Sequence, residues 1–166
     1  LGANMKKATH LSSSPDTSSF KSTGLHPKIL ETLDRESFKT TSEIQSQAIP
    51  VMLAGKDLVA ISPTASGKTL AFTLPLLHEL LKFPTTQNQQ RSIFAVVLAP
   101  TRELAQQVHH QWQIWASTFK LQTLCLHGGK TVAEQLPRLR QGADLVVATP
   151  GRFLQLLQQR PADFRF

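Results

Sequence analysis

The chain has 166 residues, of which 40% are hydrophobic and 17% are charged, the balance of a globular protein with one sizeable core. Eighteen Lys and Arg residues against 11 Asp and Glu give a formal charge of +7, which suits a polyanionic partner but also serves simple solubility. The single cysteine excludes an internal disulfide. The sequence has no membrane-length apolar run and no signal-peptide pattern, so we expect an intracellular protein. The sequence does not distinguish the nucleus, the nucleolus and the cytoplasm.

Residues 1–19 are rich in Ser and Thr and predict a flexible tail, so order is expected from Phe20 to the end at residue 166. In that part helical and strand patterns alternate, which predicts an α/β domain on a parallel sheet. Helices are predicted at Pro27–Leu33, Glu43–Ala54, Lys68–Leu81, Arg102–Phe119, from Thr131 onward, and at Pro150–Gln159. Strands are predicted at Asp57–Ile61, Ile93–Ala99, Leu121–Leu126 and Asp144–Ala148, with a polar surface loop over 84–90.

Several residues predict how these helices begin, bend and pack. Ser42 is a predicted N-cap, and Thr131 with Glu134 forms a predicted capping box. Pro75 should kink its helix and Pro137 should shorten the one it lies in. The long central helix carries an apolar stripe, which consists of Leu104, Val108, Trp112, Trp115 and Phe119.

The stretch "ISPTASGKTLAF", Ile61–Phe72, resembles a phosphate-binding loop of the pattern G-x-x-x-x-G-K-[ST], with Ser62 at the first glycine position. It lies between a predicted strand and a predicted helix, where backbone N–H groups and the helix dipole favour an anion. Gly67, Lys68 and Thr69 supply the close approach, the cation and the hydroxyl. If Ala65 takes a positive φ, the strain is roughly 1–2 kcal/mol, which would loosen the loop without abolishing it. The other reading is an ordinary strand-to-helix turn with a surface lysine.

Four unusual stretches each follow a predicted strand: "SPTASGKT", "APTRELA", "HGGK" and "ATPGR". In a parallel sheet these positions share the carboxyl edge, where ligands bind in open α/β folds. Their glycines, hydroxyls and basic side chains suit the sugar-phosphate backbone of RNA better than base edges. Taken one at a time, the threonines could be helix caps, the glycines turn residues and the arginines solvated.

In this order, the stretches resemble the first RecA-like domain of the DEAD-box ATP-dependent RNA helicases. "PTRELA" (Pro100–Ala105), the Gly128-Gly129 pair and "TPGR" (Thr149–Arg152) match the family patterns letter for letter. "SPTASGKT" differs from the family at Ser62, where Ala is usual, and at Ala65, where Gly is usual. "SFKTTSEIQ" (Ser37–Gln45) resembles the family's Q motif, with Ser37 in place of Gly and Thr41 in place of Pro.

The resemblance implies specific binding roles. Gln45 would read adenine, alongside its capping-box position with Ser42, and Phe20 would pack on the base. The loop would hold ATP with Mg²⁺, with Lys68 and Thr69 as catalytic residues and Thr69 also touching the ATP-bound Mg²⁺. The implied ATP-binding set is Phe20, Gln45, Thr64, Ala65, Ser66, Gly67, Lys68 and Thr69. The implied RNA-binding set is Pro100, Thr101, Arg102, Gly128, Gly129, Thr149, Pro150, Gly151 and Arg152.

The chain contains no Asp-Glu-Ala-Asp motif, no Ser-Ala-Thr motif and no second RecA-like domain of the kind that supplies an arginine finger. Because phosphoryl transfer depends on those charges, we expect an incomplete RecA-like P-loop domain, whose parent protein is an ATPase and helicase while these residues alone are inactive. A gap in the sheet is expected beside Asp57–Ile61. The expected partners are RNA, bound without sequence specificity by a monomer, and a helicase-activating protein.

Two other functions stay open: a non-catalytic product that binds RNA or a partner protein without ATPase activity, and an unrelated P-loop enzyme such as a kinase or transporter ATPase. "PTRELA" and "TPGR" have no role in the latter. His109 and His110 are adjacent on a helix and face different directions, which predicts solvated surface rather than a metal site.

Overall fold

A computed structural model describes residues 19–83, 91–164 and 166. The described residues form two compact units, one within residues 1–82 and one within residues 83–166. The predicted tail, apart from Ser19, and the predicted surface loop 84–90 lie outside the described residues. That residues 20–166 make up one domain stays a prediction.

The first unit is helical. After a 3₁₀ turn at Phe20–Thr23 come α1 (Pro27–Arg35), α2 (Glu43–Leu53) and α3 (Lys68–Leu80), close to the predicted bounds. Pro27 occupies the first turn of α1, where its missing N–H costs nothing. The core of this unit consists of fully buried aliphatic side chains, among them Ile29, Leu33, Ile49, Leu74 and Leu77.

The predicted strand Asp57–Ile61 is wrong, because these residues form no strand. Val59 is 88% exposed and Ile61 is 94% exposed. A strand exists only where a neighbour accepts and donates its backbone hydrogen bonds, and no segment of the described chain pairs with this one. An apolar run therefore indicates a propensity for the extended state, while pairing decides whether a strand forms.

The second unit contains a three-stranded parallel sheet. Its strands are β1 (Ala95–Leu98), β2 (Thr123–Leu126) and β3 (Leu145–Ala148), in the spatial order β1-β3-β2. Each strand is shorter than predicted, because the outer strands align with the four residues of β3 and pair no further. The helices are α4 (Arg102–Phe119), α5 (Val132–Gln141) and α6 (Pro150–Gln159), followed by a 3₁₀ turn at Pro161–Asp163.

Asp144, directly before β3, joins the starts of all three strands. Its buried carboxylate accepts a hydrogen bond from the Gln122 N–H at 2.7 Å and contacts the Arg91 guanidinium. Its backbone carbonyl accepts from the Phe94 N–H at 2.9 Å. These bonds anchor the segments before β1 and β2 to one residue, which fixes the register of the sheet.

Helices cover both faces of this sheet. On one face Val146 and Ala148 join a buried cluster with side chains of α5, α6 and Phe164. Successive residues of a strand point to opposite faces, so the buried Leu145 and Val147 point to the other side. There α4 contacts β2 and β3. The α/β class with a parallel sheet is confirmed.

Two expectations for the helices of the second unit are corrected. In α4, Leu104 is 39% exposed, and Ala105, fully buried, takes its place in the stripe with Val108, Trp112 and Trp115. Pro137 does not shorten α5, which continues to Gln141. The predicted Thr131–Glu134 capping box is present, and Leu136 and Leu139 are buried, so capping and packing outweigh the hydrogen bond that Pro137 cannot donate.

Ser37 and Ala65 adopt left-handed backbone conformations, with φ of 64° and 61°. A side chain at such a position costs roughly 1–2 kcal/mol relative to glycine, which has no Cβ. Both positions are those at which the sequence departs from a family glycine.

We expect Ser37→Gly to raise the free energy of unfolding by about 1 kcal/mol, since relief of the strain exceeds the added entropy of the unfolded chain. Urea denaturation of the 166-residue chain measures the change. Ser46→Gly, inside α2, is the matched control and should lower stability by about 0.5–1 kcal/mol. Equal destabilisation by both variants would contradict the strain at Ser37.

Candidate functional site

The predicted phosphate loop leads into the N-terminus of α3, as the sequence indicated. Gly67 is the N-cap, and helical bonding begins with the Ala71 N–H, which donates to the Gly67 carbonyl at 3.1 Å. The N–H groups of Lys68, Thr69 and Leu70 therefore precede the first helical bond and point out of the helix end. Together with the helix dipole, such an end is suited to a phosphate.

Gly67 is the position in this loop that only glycine can occupy. Its φ is 92°, and a Cβ there would lie 2.4 Å from Nε2 of Gln45. The same Nε2 donates to the Gly67 carbonyl at 3.1 Å. The loop thus contacts α2 through backbone atoms, and a side chain at residue 67 would break that contact.

Hydrogen bonds of its own side chains connect different residues of the phosphate loop. The Lys68 ammonium donates to the carbonyls of Ser62 and Pro63, at 2.5 Å each. The hydroxyls of Ser62 and Ser66 are in close hydrogen-bond contact. Ala65 has the positive φ that the sequence analysis considered. The bond between Ser62 and Ser66 is seen only in the structure.

The other predicted loop residues differ in exposure. Thr64 is exposed, whereas Thr69 is half-buried beside Lys68 in the first turn of α3. The Thr69 hydroxyl therefore lies at the helix end, where it can reach a bound ligand, whereas Thr64 lies three residues before Gly67 in the loop.

Gln45 is buried, and both ends of its amide are hydrogen-bonded. Oε1 accepts from the Ser42 N–H at 2.9 Å, which is the predicted capping-box bond, while Nε2 reaches Gly67. An amide has two N–H donors and two oxygen lone pairs, so one donor and one lone pair stay available. The role in reading adenine stays a prediction.

Phe20, the predicted base-packing residue, is only 2% exposed. It lines a cavity of about 190 Å³ together with Leu30, Leu33 and Phe38. Gln45 does not line this cavity. Stacking on a base would require the Phe20 ring to become more exposed. Apart from its aromatic character, no feature of the sequence indicates this burial.

The sheet of the second unit brings three of the four predicted stretches to one edge. Pro100–Arg102 follow β1, Gly128-Gly129 follow β2 and Thr149–Arg152 follow β3. Because the strands are parallel and level, their carboxyl ends lie side by side. The fourth stretch is the phosphate loop of the first unit.

Arg102 and Gly129 come together at this edge although 26 residues separate them in the chain. A Cβ on Gly129, whose φ is 89°, would lie 2.4 Å from Nη1 of Arg102. The guanidinium therefore lies directly over the glycine turn. Gly128 and Gly151 are exposed, and a Cβ on either would meet no atom within 4 Å. Pro100 and Pro150 are exposed as well.

The two predicted hydroxyl residues of this edge behave differently. Thr101 caps α4, and its Oγ1 accepts from the Leu104 N–H at 3.2 Å. Thr149 is the N-cap of α6 without a side-chain capping bond. Arg152, in the first turn of α6, is half-buried, and its Nη1 is buried without a hydrogen-bond partner. Arg152 thus holds a buried donor that the described residues leave without an acceptor.

His127 is hydrogen-bonded to the Gly128-Gly129 turn. The sequence analysis did not identify this residue. In its neutral form, Nδ1–H donates to the Gly128 carbonyl at 2.6 Å and Nε2 accepts from the Gln106 amide at 3.1 Å. The Gln135 amide donates to the His127 carbonyl at 3.0 Å. The one signal in the sequence was the position of a histidine directly before Gly128-Gly129.

The expectation of a solvated histidine pair is wrong for His109. This residue is half-buried, and Nε2 lies 3.1 Å from Oγ1 of Thr123. Burial lowers the pKa of its imidazole, which favours the neutral form. His110 is exposed, and the described residues contain no group of three or more side chains arranged to hold a metal ion.

The chain resembles known proteins over most of its length. Residues 42–165 match the family model described as DEAD/DEAH box helicase. Pre-mRNA-splicing ATP-dependent RNA helicase prp28 of Schizosaccharomyces pombe is 44% identical over 139 residues, which are 82% of this chain and 21% of that protein. Probable ATP-dependent RNA helicase DDX46 of Homo sapiens is 37% identical over 134 residues, 81% of this chain and 13% of that protein. ATP-dependent RNA helicase ddx46 of Dictyostelium discoideum is 39% identical over 139 residues, 84% and 12% respectively.

The chain therefore spans between about an eighth and a fifth of the length of these relatives. Within the described ranges, no helix combines the length and apolar character needed to cross a membrane. The loop before α3, the glycine turn after β2 and the Thr149–Arg152 turn all lie inside the matched region. On these grounds the chain belongs to the DEAD/DEAH box helicase family.

Proposed function

We propose that this chain is the ATP-binding and RNA-binding portion of an ATP-dependent RNA helicase, which unwinds or remodels RNA by coupling to ATP hydrolysis. One observation carries the ATP part: a cation, Lys68, and the unbonded N–H groups of α3 lie in the same small turn. The family supports the helicase activity, and the relatives are named ATP-dependent RNA helicases.

The loop fits the phosphates of ATP. Gly67 has no side chain, and one would fill the space against Gln45, so the backbone stays open to an approaching phosphate. In our proposal Lys68 exchanges its bonds to the Ser62 and Pro63 carbonyls for the outer phosphates. The Thr69 hydroxyl would hold Mg²⁺, which neutralises phosphate charge when bound.

The carboxyl edge of the sheet fits the sugar-phosphate backbone of RNA. Arg102 over Gly129 and Arg152 beside Thr149 supply positive charge, and the exposed glycines allow close approach. Contacts of this kind carry no sequence code, so binding should be nearly independent of base sequence.

The 166 residues contain no Asp-Glu-Ala-Asp stretch, so we expect them to bind ATP without turning it over at a useful rate. We further propose an intracellular site of action, a monomeric state and activation by a partner protein in the whole protein. Binding of RNA or a partner without any ATPase activity is the second candidate, because the edge in the second unit is formed without the phosphate loop.

The loop assignment predicts opposite effects at two neighbouring positions. Ala65→Gly should leave ATP affinity equal or higher, since it relieves a positive φ. Gly67→Ala should weaken ATP binding about tenfold or more, because the Cβ would displace Gln45 and a distorted loop loses charge-assisted bonds of about 1.5–3 kcal/mol. Fluorescence titration with a labelled ATP analogue measures both. A large loss in Ala65→Gly would contradict this view of the loop.

Lys68 is predicted to be the main cationic contact of ATP. Lys68→Ala should reduce affinity for ATP by about tenfold or more, the equivalent of a lost charge-assisted hydrogen bond. Isothermal titration calorimetry with ATP and Mg²⁺ measures it. Lys56→Ala removes the same charge from an exposed position outside the loop and should leave affinity unchanged. Equal losses in the two variants would show a general charge effect and no phosphate site.

Arg152→Ala should weaken binding of two unrelated single-stranded RNAs of equal length by similar factors. The Arg152→Ala variant should also make the slope of log affinity against log salt concentration shallower by less than about one unit, since each neutralised phosphate contributes roughly −0.7 to that slope. Fluorescence anisotropy at several salt concentrations, with an ATP analogue present, measures both. Arg160→Ala, at the other end of α6, is the matched control and should change little. Weakening of only one RNA would reveal base readout and contradict the assignment.

A further inference from the structure

The second unit contains a cavity of about 400 Å³ that none of the proposed roles uses. It lies beside β2, between α4 and α5. The lining includes Gln106 and His109 of α4, Cys125 of β2, Lys130, and Gln135 and Arg138 of α5. Its volume falls in the range of about 300–1,000 Å³ that is usual for small-ligand sites.

One buried acceptor on this cavity lacks a partner. Gln135 is 4% exposed, and its Nε2 donates to the His127 carbonyl, but its Oε1 has no hydrogen bond. Buried polar atoms are normally paired, so the unpaired oxygen of this cavity-lining residue is a candidate acceptor for a ligand with an N–H or O–H donor.

The cavity also carries positive charge that no carboxylate neutralises directly. Within the described ranges, neither Lys130 nor Arg138 forms an ion pair. The one carboxylate on the wall, Glu134, accepts hydrogen bonds from the N–H and hydroxyl of Thr131, at 2.5 Å and 2.7 Å. A ligand that brings a negative group is therefore favoured.

The cavity adjoins the proposed RNA edge. Two of its wall residues, His127 and Lys130, flank the Gly128-Gly129 turn, and His127 donates to the Gly128 carbonyl. A strand of RNA held at that turn would therefore pass next to the cavity. Single-stranded RNA is commonly recognised through nucleotides splayed out of the strand.

We propose that this cavity binds one nucleotide of the RNA strand, with its phosphate at Lys130 and Arg138 and a ribose hydroxyl or base N–H at Gln135 Oε1. The assignment rests on the proposed RNA-binding function. A peptide strand added to the free edge of β2 is disfavoured, because the Gln135 side chain already occupies the His127 carbonyl at that edge.

Cys125, the only cysteine of the chain, reports occupancy directly because it lines the cavity and is half-buried. Alkylation by iodoacetamide at pH 8.5, followed by mass spectrometry, is measured with decauridylate, with inorganic phosphate and with a deca-glutamate peptide. Anisotropy records RNA binding in parallel. Saturating decauridylate should slow alkylation at least about fivefold, since reaction requires access to the thiolate, whereas phosphate and peptide should not slow it.

Arg138→Ala should reduce this protection to less than about twofold while RNA still binds at the edge, since the variant removes only one phosphate contact. Arg140→Ala is the matched control: it lies on the same helix, pairs with Asp163 and does not line the cavity, and should keep full protection. Lys130→Ala, in the exposed turn before α5, should also lose protection and provides a second variant should Arg138→Ala fail to fold.

RNA binding without protection of Cys125 would overturn the cavity assignment and leave the proposed function intact. The absence of RNA binding would instead overturn the proposed function. Equal protection by inorganic phosphate would indicate a simple anion site, and protection by the peptide alone would indicate a protein partner; either result overturns the nucleotide assignment.

Discussion

The carboxylate and carbonyl of Asp144 hold the sheet of the second unit in register. Through them the segments before β1 and β2 are bonded to the residue that precedes β3. Since all three strands have the same length and direction, fixing their starts also fixes where they end. The turns at Arg102, Gly129 and Thr149 are level for this reason, and the candidate RNA surface is a consequence of bonds formed at the opposite edge.

In the first unit the comparable constraint is the amide of Gln45. It ties the start of α2 to the backbone of Gly67, so the phosphate loop and the Q-motif segment form one hydrogen-bonded assembly. Ser37 and Ala65, which stand where the family usually has glycine, both adopt the left-handed backbone conformation that favours glycine. The backbone at these two positions therefore carries strain that a glycine would relieve.

The sequence predicted the elements whose determinants are local. Caps at Ser42 and Thr131 and the start of α3 follow from neighbouring residues, and the structure has them. The failures depend on distant partners. Asp57–Ile61 needed a neighbouring strand, and the continuation of α5 past Pro137 depended on burial of Leu136 and Leu139. Likewise, the local sequence around His127 does not indicate that Gln106 of α4 and Gln135 of α5 would both form hydrogen bonds with this residue.

The unpaired segment Asp57–Ile61 has a consequence for how backbone protons exchange with solvent. Amides in an exposed segment without ladder bonds exchange deuterium close to the rate of an unfolded chain, whereas those of β3, bonded on both sides and fully buried, open only with the unit as a whole. A time course of deuterium uptake would therefore separate two apolar stretches of similar composition by orders of magnitude. Val59 and Val147 have the same side chain, but the lifetimes of their amide protons would differ because only Val147 lies in a paired strand.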